Sequence, residues 1–302
     1  MKKIKKIFQK LSNEAFSSFP IGADAINIDM SNGNNLEEEI ENLWSSYETK
    51  TGNSPIYTGR ELSEYTWAQL EAKCTNNDFK DLRIGDYKTI LLTDGEKVRM
   101  QIAGIDTYYK ATDVIIPHHI DWISANCLNG YVVWNTTRNN NGDSTNNSPY
   151  MVSNVRKYLI ETIYPKLPVD VKAVIKNKRN LLESRYSNYD LAKDSIGWTW
   201  EDMGPIWLPS ECEVFGTVIW GTKGYSQCQA VQYPLFANSC MLRVKNQREM
   251  DENQIIRGNW WLSTVESGNS THCCCVASNG IPISQAADQP AIGIPLCFRI
   301  SA

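Results

Sequence analysis

The chain has 302 residues, of which 42% are hydrophobic and 21% charged, and this composition excludes a mostly disordered protein. The formal net charge of −4 argues against a nucleic-acid-binding protein, because such a protein needs a basic surface to neutralise phosphates. No apolar run approaches the roughly 18 residues that span a bilayer, so we expect no membrane insertion.

The nine cysteines indicate a protein made in a reducing cytoplasm. Their number is odd and Cys273, Cys274 and Cys275 are consecutive, whereas a secreted disulfide framework usually has an even number at spread positions. We expect these thiols to pack as small apolar side chains in a strand, with no metal ion and no other cofactor. A zinc site that joins His272 and Cys297 to them is the alternative.

Residues 1–55 are predicted to anchor and oligomerise the chain. Residues 4–15 combine apolar residues at helical spacing with lysines, which predicts a short helix that docks on a partner protein. The alternatives are a frayed terminus or a helix packed on its own domain, and docking on a membrane surface. A second helix is predicted from a 4-3-4 spacing of the kind seen in coiled coils. It is too short to be stable alone in water, so it either packs on the body or self-associates. Its spaced residues are Leu36, Ile40, Leu43 and Tyr47.

The body is predicted to comprise residues 56–302. It opens with a helix over residues 61–74, in which Leu62, Tyr65, Leu70 and Cys74 face inward. Two strands follow on either side of an Asp-Gly pair at residues 94–95, which is a strong signal for a tight hairpin turn.

The middle of the body is predicted to be a loop followed by helices. Residues 138–149 are rich in asparagine and indicate a polar surface loop. Residues 150–183 have a helical pattern that must break at Pro165 and Pro168.

The last third is predicted to consist of strands and loops. Ser210 and Glu213 form a capping box that opens a short helix, and an Asn-Gly pair at residues 279–280 predicts a second hairpin. Residues 294–300 are predicted to close the chain as a strand. The residues expected in the core are Trp207, Leu208, Trp260 and Leu262.

The sequence carries no recognisable catalytic signature. It has no phosphate-binding glycine loop, no zinc-protease motif and no serine-hydrolase motif. The adjacent His118 and His119 are expected to lie in a loop or at a helix start. The sequence therefore predicts a protein that is not an enzyme.

The N-terminal phrase at residues 19–43 resembles the N-terminal segments of bacteriophage fibre proteins. It reads FPIGADAINIDMSNGNNLEEEIENL, with a proline-glycine-alanine phrase, an aspartate-rich turn and a helix of leucines and acids. The resemblance implies that residues 1–55 attach to other virion proteins and help to form a homotrimer.

The body, over about residues 78–302, resembles an uncharacterised domain family of gut bacteria and their phages. The shared phrases occur in one order and include LRIGDYKTI, SNVRKYL, IWLPSECEVFG, NWWLST, VASNG and GIPLCFRI. The C-terminal part of that family is similar to the C-type lectin fold. The Glu-Pro-Asn and Trp-Asn-Asp phrases of calcium-dependent lectins are absent from this sequence, so calcium-dependent sugar binding is not implied.

These resemblances imply a structural bacteriophage protein of the fibre or spike type. We expect an α+β fold with an N-terminal helical anchor or stalk and a mixed body whose C-terminal part is C-type-lectin-like. The chain would be made in the cytoplasm of the host bacterium, become part of the virion, and attach to a glycan or protein on the host surface. The alternatives are a capsid decoration or head-fibre protein with weak adhesion, and a lectin-fold enzyme that acts on the cell envelope.

The recognition surface is expected on the loops between the final strands, because such loops lie together in lectin-like folds. They span about residues 221–239, 264–272 and 284–292. Tyrosine offers rigid amphipathic contact and polar side chains offer adaptable hydrogen bonds, a composition suited to recognition. The predicted binding residues are Tyr225, Gln227, Tyr233, Glu266, Asn269 and His272.

Overall fold

A computed structural model describes residues 59–188, 190–223, 231–247 and 257–302. The chain divides into two units, Met1–Thr51 and Gly52–Ala302, and every described residue belongs to the second. The expected anchor, the coiled-coil spacing and the fibre-like phrase therefore lie outside the described residues. The structure is 20% helix and 29% strand, so the fold is α+β, as predicted.

The helices of the described part are short, and most lie in its first two thirds. The α-helices are α1 (Trp67–Asn76), α2 (Pro149–Val152), α3 (Asn154–Tyr158), α4 (Val169–Val174), α5 (Glu211–Phe215) and α6 (Pro234–Asn238). A π-helix (Leu159–Ile163) and two 3-10 helices (Tyr164–Lys166 and Cys240–Arg243) complete them.

The strands form one large sheet and three smaller ones, with antiparallel pairing between the named strands. The large sheet has the order β1-β2-β3-β13-β4, and β7 also pairs with β13. Its strands are β1 (Tyr87–Leu91), β2 (Lys97–Ile105), β3 (His119–Ser124), β4 (Ile175–Lys176), β7 (Ile206–Trp207) and β13 (Cys297–Ser301). The smaller sheets are β10-β11-β12 (Trp260–Val265, His272–Val276, Pro282–Ala286), β5-β6 (Lys178–Ser184, Gly197–Gly204) and β8-β9 (Lys245–Asn246, Arg257–Gly258).

The C-terminal strand β13 lies inside the large sheet, and all five of its residues are buried. Its register pairs Phe298 with Trp122 and Arg299 with Asp121, so each pair shares one face of the sheet. Trp67 of α1 packs edge-on against Trp122 and Phe298, with ring centroids 5.2 and 5.7 Å apart. One face of β13 is thus aromatic, and the other carries a buried ion pair.

Both predicted hairpins are confirmed. The turn at Asp94-Gly95 joins β1 to β2, and the turn at Asn279-Gly280 joins β11 to β12. Gly95 has φ +92° and Gly280 has φ +86°, a left-handed conformation that glycine adopts without the cost of a side chain. The Ser210–Glu213 capping box is also present at the start of α5.

Three predictions need correction. The first helix begins at Trp67 rather than residue 61, because Thr66 and Gln69 form a capping box that starts it there. The region 150–183 is helical only to Val174, and its last part pairs as strands β4 and β5. The polar loop at 138–149 is irregular, but its Asn140 and Asn141 are buried because their amides hydrogen-bond to distant loops.

The predicted core residues are confirmed. The side chains of Trp207, Leu208, Trp260 and Leu262 are fully buried, and so is that of Trp261.

Among the described residues, no helix is both long and apolar enough to cross a bilayer.

Candidate functional site

The structure places the predicted binding residues in three different environments. Tyr225 and Gln227 belong to residues 224–230, which lie outside the described part of the chain. Glu266 and Asn269 are half-buried in the connection between β10 and β11, and His272, also half-buried, is the first residue of β11. The sixth residue, Tyr233, lies in the core.

Tyr233 was expected on a surface loop and is instead 1% exposed. It immediately precedes α6, whose Leu235 and Phe236 are fully buried, and the packing of that helix holds the tyrosine inside. Its hydroxyl accepts a hydrogen bond from Lys178 at 3.1 Å, and burial raises its pKa well above the ordinary range. Tyr233 is therefore a core residue and not part of an exposed recognition surface.

Three of the predicted residues meet in a short segment that we call the 266–272 turn (Glu266–His272). The amide nitrogen of Asn269 lies 3.1 Å from Glu266 Oε2 and 2.9 Å from His272 Nδ1. The amide nitrogen donates, so His272 Nδ1 is the acceptor in this contact. Asn269 Oδ1 in turn accepts from the backbone N–H and the hydroxyl of Thr271. The turn thus groups a carboxylate, an amide and an imidazole at the surface.

Two side chains from distant parts of the chain donate hydrogen bonds to the backbone of this turn. Buried Arg185 donates from Nη1 to the carbonyls of Glu266 and Asn269, at 2.7 and 2.9 Å. Asn140 donates to the carbonyls of Asn269 and His272, at 2.8 and 2.5 Å. The backbone of the turn is therefore fixed by buried groups, which leaves its side chains positioned for contact with a ligand.

A cavity of about 50 Å³ lies next to the turn, and we call it the Ser263 cavity. Thr264 and Val265 line it and lead directly into Glu266, while Thr222 contributes from the loop that precedes residues 224–230. Its walls come from α2, β5, β6, β10, and α5 with the loop that follows it. The complete lining is Pro149, Tyr150, Asn180, Leu181, Leu182, Glu183, Trp198, Ser210, Cys212, Val218, Thr222, Ser263, Thr264 and Val265.

The polar centre of the cavity is Glu183. Its Oε2 accepts from Arg185 Nη2 at 3.0 Å and from the Thr222 hydroxyl at 2.8 Å. Burial raises the pKa of Glu183, although the charge of Arg185 and both hydrogen bonds oppose that change. Arg185 therefore connects the cavity and the 266–272 turn, because it binds both.

The cysteines near this region are not reactive thiols. Burial is the main cause that raises the pKa of Cys212, which lines the cavity, to about 12, so its thiol is protonated at neutral pH. Cys273, Cys274 and Cys275 are fully buried in β11, which confirms that they pack as core residues. Within the described ranges, no group of three or more histidine, cysteine or acidic side chains is arranged to hold a metal ion.

A second polar group, the buried charge cluster, was missed by the sequence analysis. It consists of His119, Asp121, Lys178, Glu213 and Arg299, each no more than 1% exposed. Arg299 binds Asp121 through two hydrogen bonds of 2.7 and 2.9 Å, and Lys178 forms an ion pair with Glu213. Because the cluster is closed to solvent, we assign it to stability rather than to binding.

The prediction of a loop or a helix start is confirmed for His118, which precedes β3, and is wrong for His119, which lies in the strand. His119 begins β3 and accepts a hydrogen bond from the backbone of Tyr108 at 3.1 Å through Nε2. His118 is partly exposed and contacts Asp106 at 2.6 Å. The sequence signal that could have revealed the cluster is a charged residue inside an otherwise apolar strand, as Asp121 is in β3 and Arg299 is in β13.

The chain belongs to a family that is described as a domain of unknown function, DUF6273, whose model matches residues 121–302. The match includes the 266–272 turn, the Ser263 cavity and all of the buried charge cluster except His119. No curated protein and no solved structure matches the chain.

Proposed function

We propose that this chain is a non-enzymatic structural protein of a bacteriophage virion, of the fibre or spike type, that attaches to the host cell surface. The observation that carries the proposal is the 266–272 turn. Three residues chosen from the sequence for recognition come together there as hydrogen-bonding groups on a backbone that Arg185 and Asn140 hold. A supported turn with partly exposed polar side chains suits selective binding.

The resemblance of residues 19–43 to phage fibre proteins supports the virion part of the proposal. In this account, residues 1–55 bind other virion proteins and form a homotrimer, while the C-type-lectin-like body carries the turn outward. The protein is made in the host bacterial cytoplasm and functions in the particle. A capsid decoration or head-fibre protein with weak adhesion is the variant of this proposal that differs in location.

An enzyme that acts on the cell envelope is the second candidate, and Glu183 is the observation that favours it. Its pKa is raised and it lines a cavity, as expected of a general acid. Glycoside hydrolysis ordinarily needs two carboxyl groups, however, and Glu183 is the one acidic residue among the described residues that line the cavity. Its pairing with Arg185 also favours a binding role.

Attachment is tested with the labelled full-length protein and cells of the bacterium that the parent phage infects. The double variant Glu266→Gln/His272→Ala removes the charge and the imidazole but keeps the carbonyls that Arg185 and Asn140 bind. We expect cell binding, measured by flow cytometry, to fall at least tenfold.

The matched control is Lys157→Ala/Glu161→Ala, which removes two exposed, paired charges on α3 and the π-helix that follows it. It should bind like the unmodified protein, and both variants should keep the same melting temperature within a few degrees. Undiminished binding by the turn variant would remove this surface from the account.

A further inference from the structure

We propose that the Ser263 cavity is a binding site for a neutral monosaccharide unit, which inserts a hydroxymethyl group or a pair of hydroxyls and rests its ring against Trp198. This inference deepens the proposed function and rests on it, because it names the class of host ligand. It concerns a different set of side chains from the 266–272 turn, so the two can fail separately.

Two polar groups of the cavity are left without protein partners. Ser263 is 5% exposed, and its hydroxyl has no hydrogen-bond partner among the described residues. Both hydrogen bonds to Glu183 end on Oε2, so Oε1 accepts none from the described part of the chain. Of these two, the Ser263 hydroxyl is the buried atom, and a buried polar group without a partner costs free energy that a ligand or water usually offsets in native structures; Glu183 Oε1 is accessible and can accept from either.

The pattern of these two groups fits sugar hydroxyls. A hydroxyl both donates and accepts, so one can donate to Glu183 Oε1 while its neighbour exchanges a hydrogen bond with the Ser263 hydroxyl. A ligand that can only accept hydrogen bonds would leave Glu183 Oε1 without a donor. An apolar ligand would leave both Glu183 Oε1 and the Ser263 hydroxyl without a partner.

The size of the cavity determines how much of a sugar enters. About 50 Å³ is room for only a few water molecules, which is similar to a hydroxymethyl group or two hydroxyls. The ring must stay at the mouth, where the half-buried indole of Trp198 offers a flat apolar wall. Leu181, Leu182 and Val218 supply the remaining apolar lining that ligand sites usually have.

The local charge favours a neutral sugar over an acidic or basic one. Glu183 and Arg185 form an ion pair with 3.0 Å between Oε2 and Nη2, so the two formal charges balance. An anionic sugar would bring a second carboxylate towards Glu183, and like charges repel strongly where water is excluded. A cationic sugar would compete with Arg185, which also holds the 266–272 turn.

The test uses the full-length protein and a panel of methyl glycosides of neutral hexoses and N-acetylhexosamines, followed by saturation-transfer NMR and titration. We expect at least one glycoside to bind. Ser263→Leu, which fills the cavity, and Trp198→Ala, which removes its wall, should each weaken that binding at least tenfold.

The matched control is Trp200→Ala, which removes the neighbouring tryptophan on the same face of β6; Trp200 is opposite the lining residue Leu181 but is not itself part of the lining. It should change the affinity less than twofold. Absence of binding by the whole panel, or binding that Ser263→Leu and Trp198→Ala leave unchanged, would overturn the proposal. So would a crystal soaked in the glycoside that shows only water molecules in the cavity.

The outcomes also separate this inference from the proposed function. Loss of cell binding by the 266–272 turn variant, together with no glycoside binding, would leave the attachment role and reject the cavity as a sugar site. Glycoside binding by a protein that does not bind host cells would reject the attachment role instead.

Discussion

At the level of single residues, the most consequential feature is the buried charge cluster. Asp121 and Arg299 are directly opposite each other on β3 and β13, and their two hydrogen bonds compensate the charges that burial removes from water. Burial opposes ionisation of Asp121, yet the charge and hydrogen bonds of Arg299 hold the pKa of Asp121 below its ordinary value. The pair therefore stays charged, and each partner depends on the other.

The first prediction concerns this pair. Arg299→Ala leaves the Asp121 carboxylate buried and uncompensated, so the free energy of unfolding should fall by about 3–5 kcal/mol. The double variant Asp121→Asn/Arg299→Met removes both charges and should recover much of that loss. Urea denaturation measures both, and a double variant less stable than Arg299→Ala would contradict this account of the pair.

The second prediction concerns pH. Burial, together with the charge of Arg299, lowers the pKa of His119 to about 4, from about 6.5 in the unfolded chain. The unfolded state then binds the extra proton first as the pH falls, so the stability contributed by neutral His119 is complete above about pH 6.5 and lost towards pH 4. The loss is on the order of 3 kcal/mol, since each pKa unit corresponds to about 1.4 kcal/mol.

His119→Gln removes this titration and should flatten the dependence of stability on pH between about 6.5 and 4. Urea denaturation at a series of pH values measures the slope. An unchanged slope in the variant would show that other groups cause the acid sensitivity.

At the level of elements, local signals were predicted and distant contacts were not. The two Gly-containing turns and the Ser210 cap depend on two to four adjacent residues, which is why the sequence sufficed. The sequence predicts helix for the residues of β4 and β5, but their conformation is decided by pairing with β13 and β6, which are distant in the chain. The same limit applies to the candidate site.

In the candidate site, the sequence indicated the half-buried polar residues of the 266–272 turn but not the groups that hold its backbone. Arg185 lies 81 residues before Glu266, and Asn140 lies 132 residues before His272. Charged and amide side chains are usually at the surface, so nothing local marks these two as buried supports. The Ser263 cavity was missed for the same reason, because its lining comes from five separate stretches.

The third prediction tests the capping box that the sequence analysis missed. The Thr66 hydroxyl accepts from the backbone N–H of Gln69 at 3.2 Å, and Gln69 Oε1 accepts from that of Thr66 at 2.8 Å. Thr66→Ala should lower the free energy of unfolding by about 1 kcal/mol, and Thr66→Ser should keep most of it. Equal stability of both variants in urea would mean that the cap does not set the start of α1.

At the level of the whole molecule, the account assigns assembly and recognition to different parts of the chain. The first unit, Met1–Thr51, carries the fibre-like phrase and the coiled-coil spacing. The second unit carries its own core, which extends from Leu62 to Ile300. A body with a core of this size is expected to fold without the first unit.

The fourth prediction follows from that division. The full-length protein should be a homotrimer by light scattering, and a variant lacking residues 1–50 should be a folded monomer with the thermal unfolding transition of the body. The same oligomeric mass after the deletion would place the self-association in the body.

The most direct test of the account is the position of the chain on intact virions of its parent phage. Fab fragments raised against the body, followed by gold labelling and electron microscopy, show where the body lies. The account predicts labelling of fibres or spikes on the outside of the particle, and a fall in adsorption to host cells when the Fab is bound. Unlabelled particles, from a preparation whose infected-cell lysate contains the protein, would contradict it.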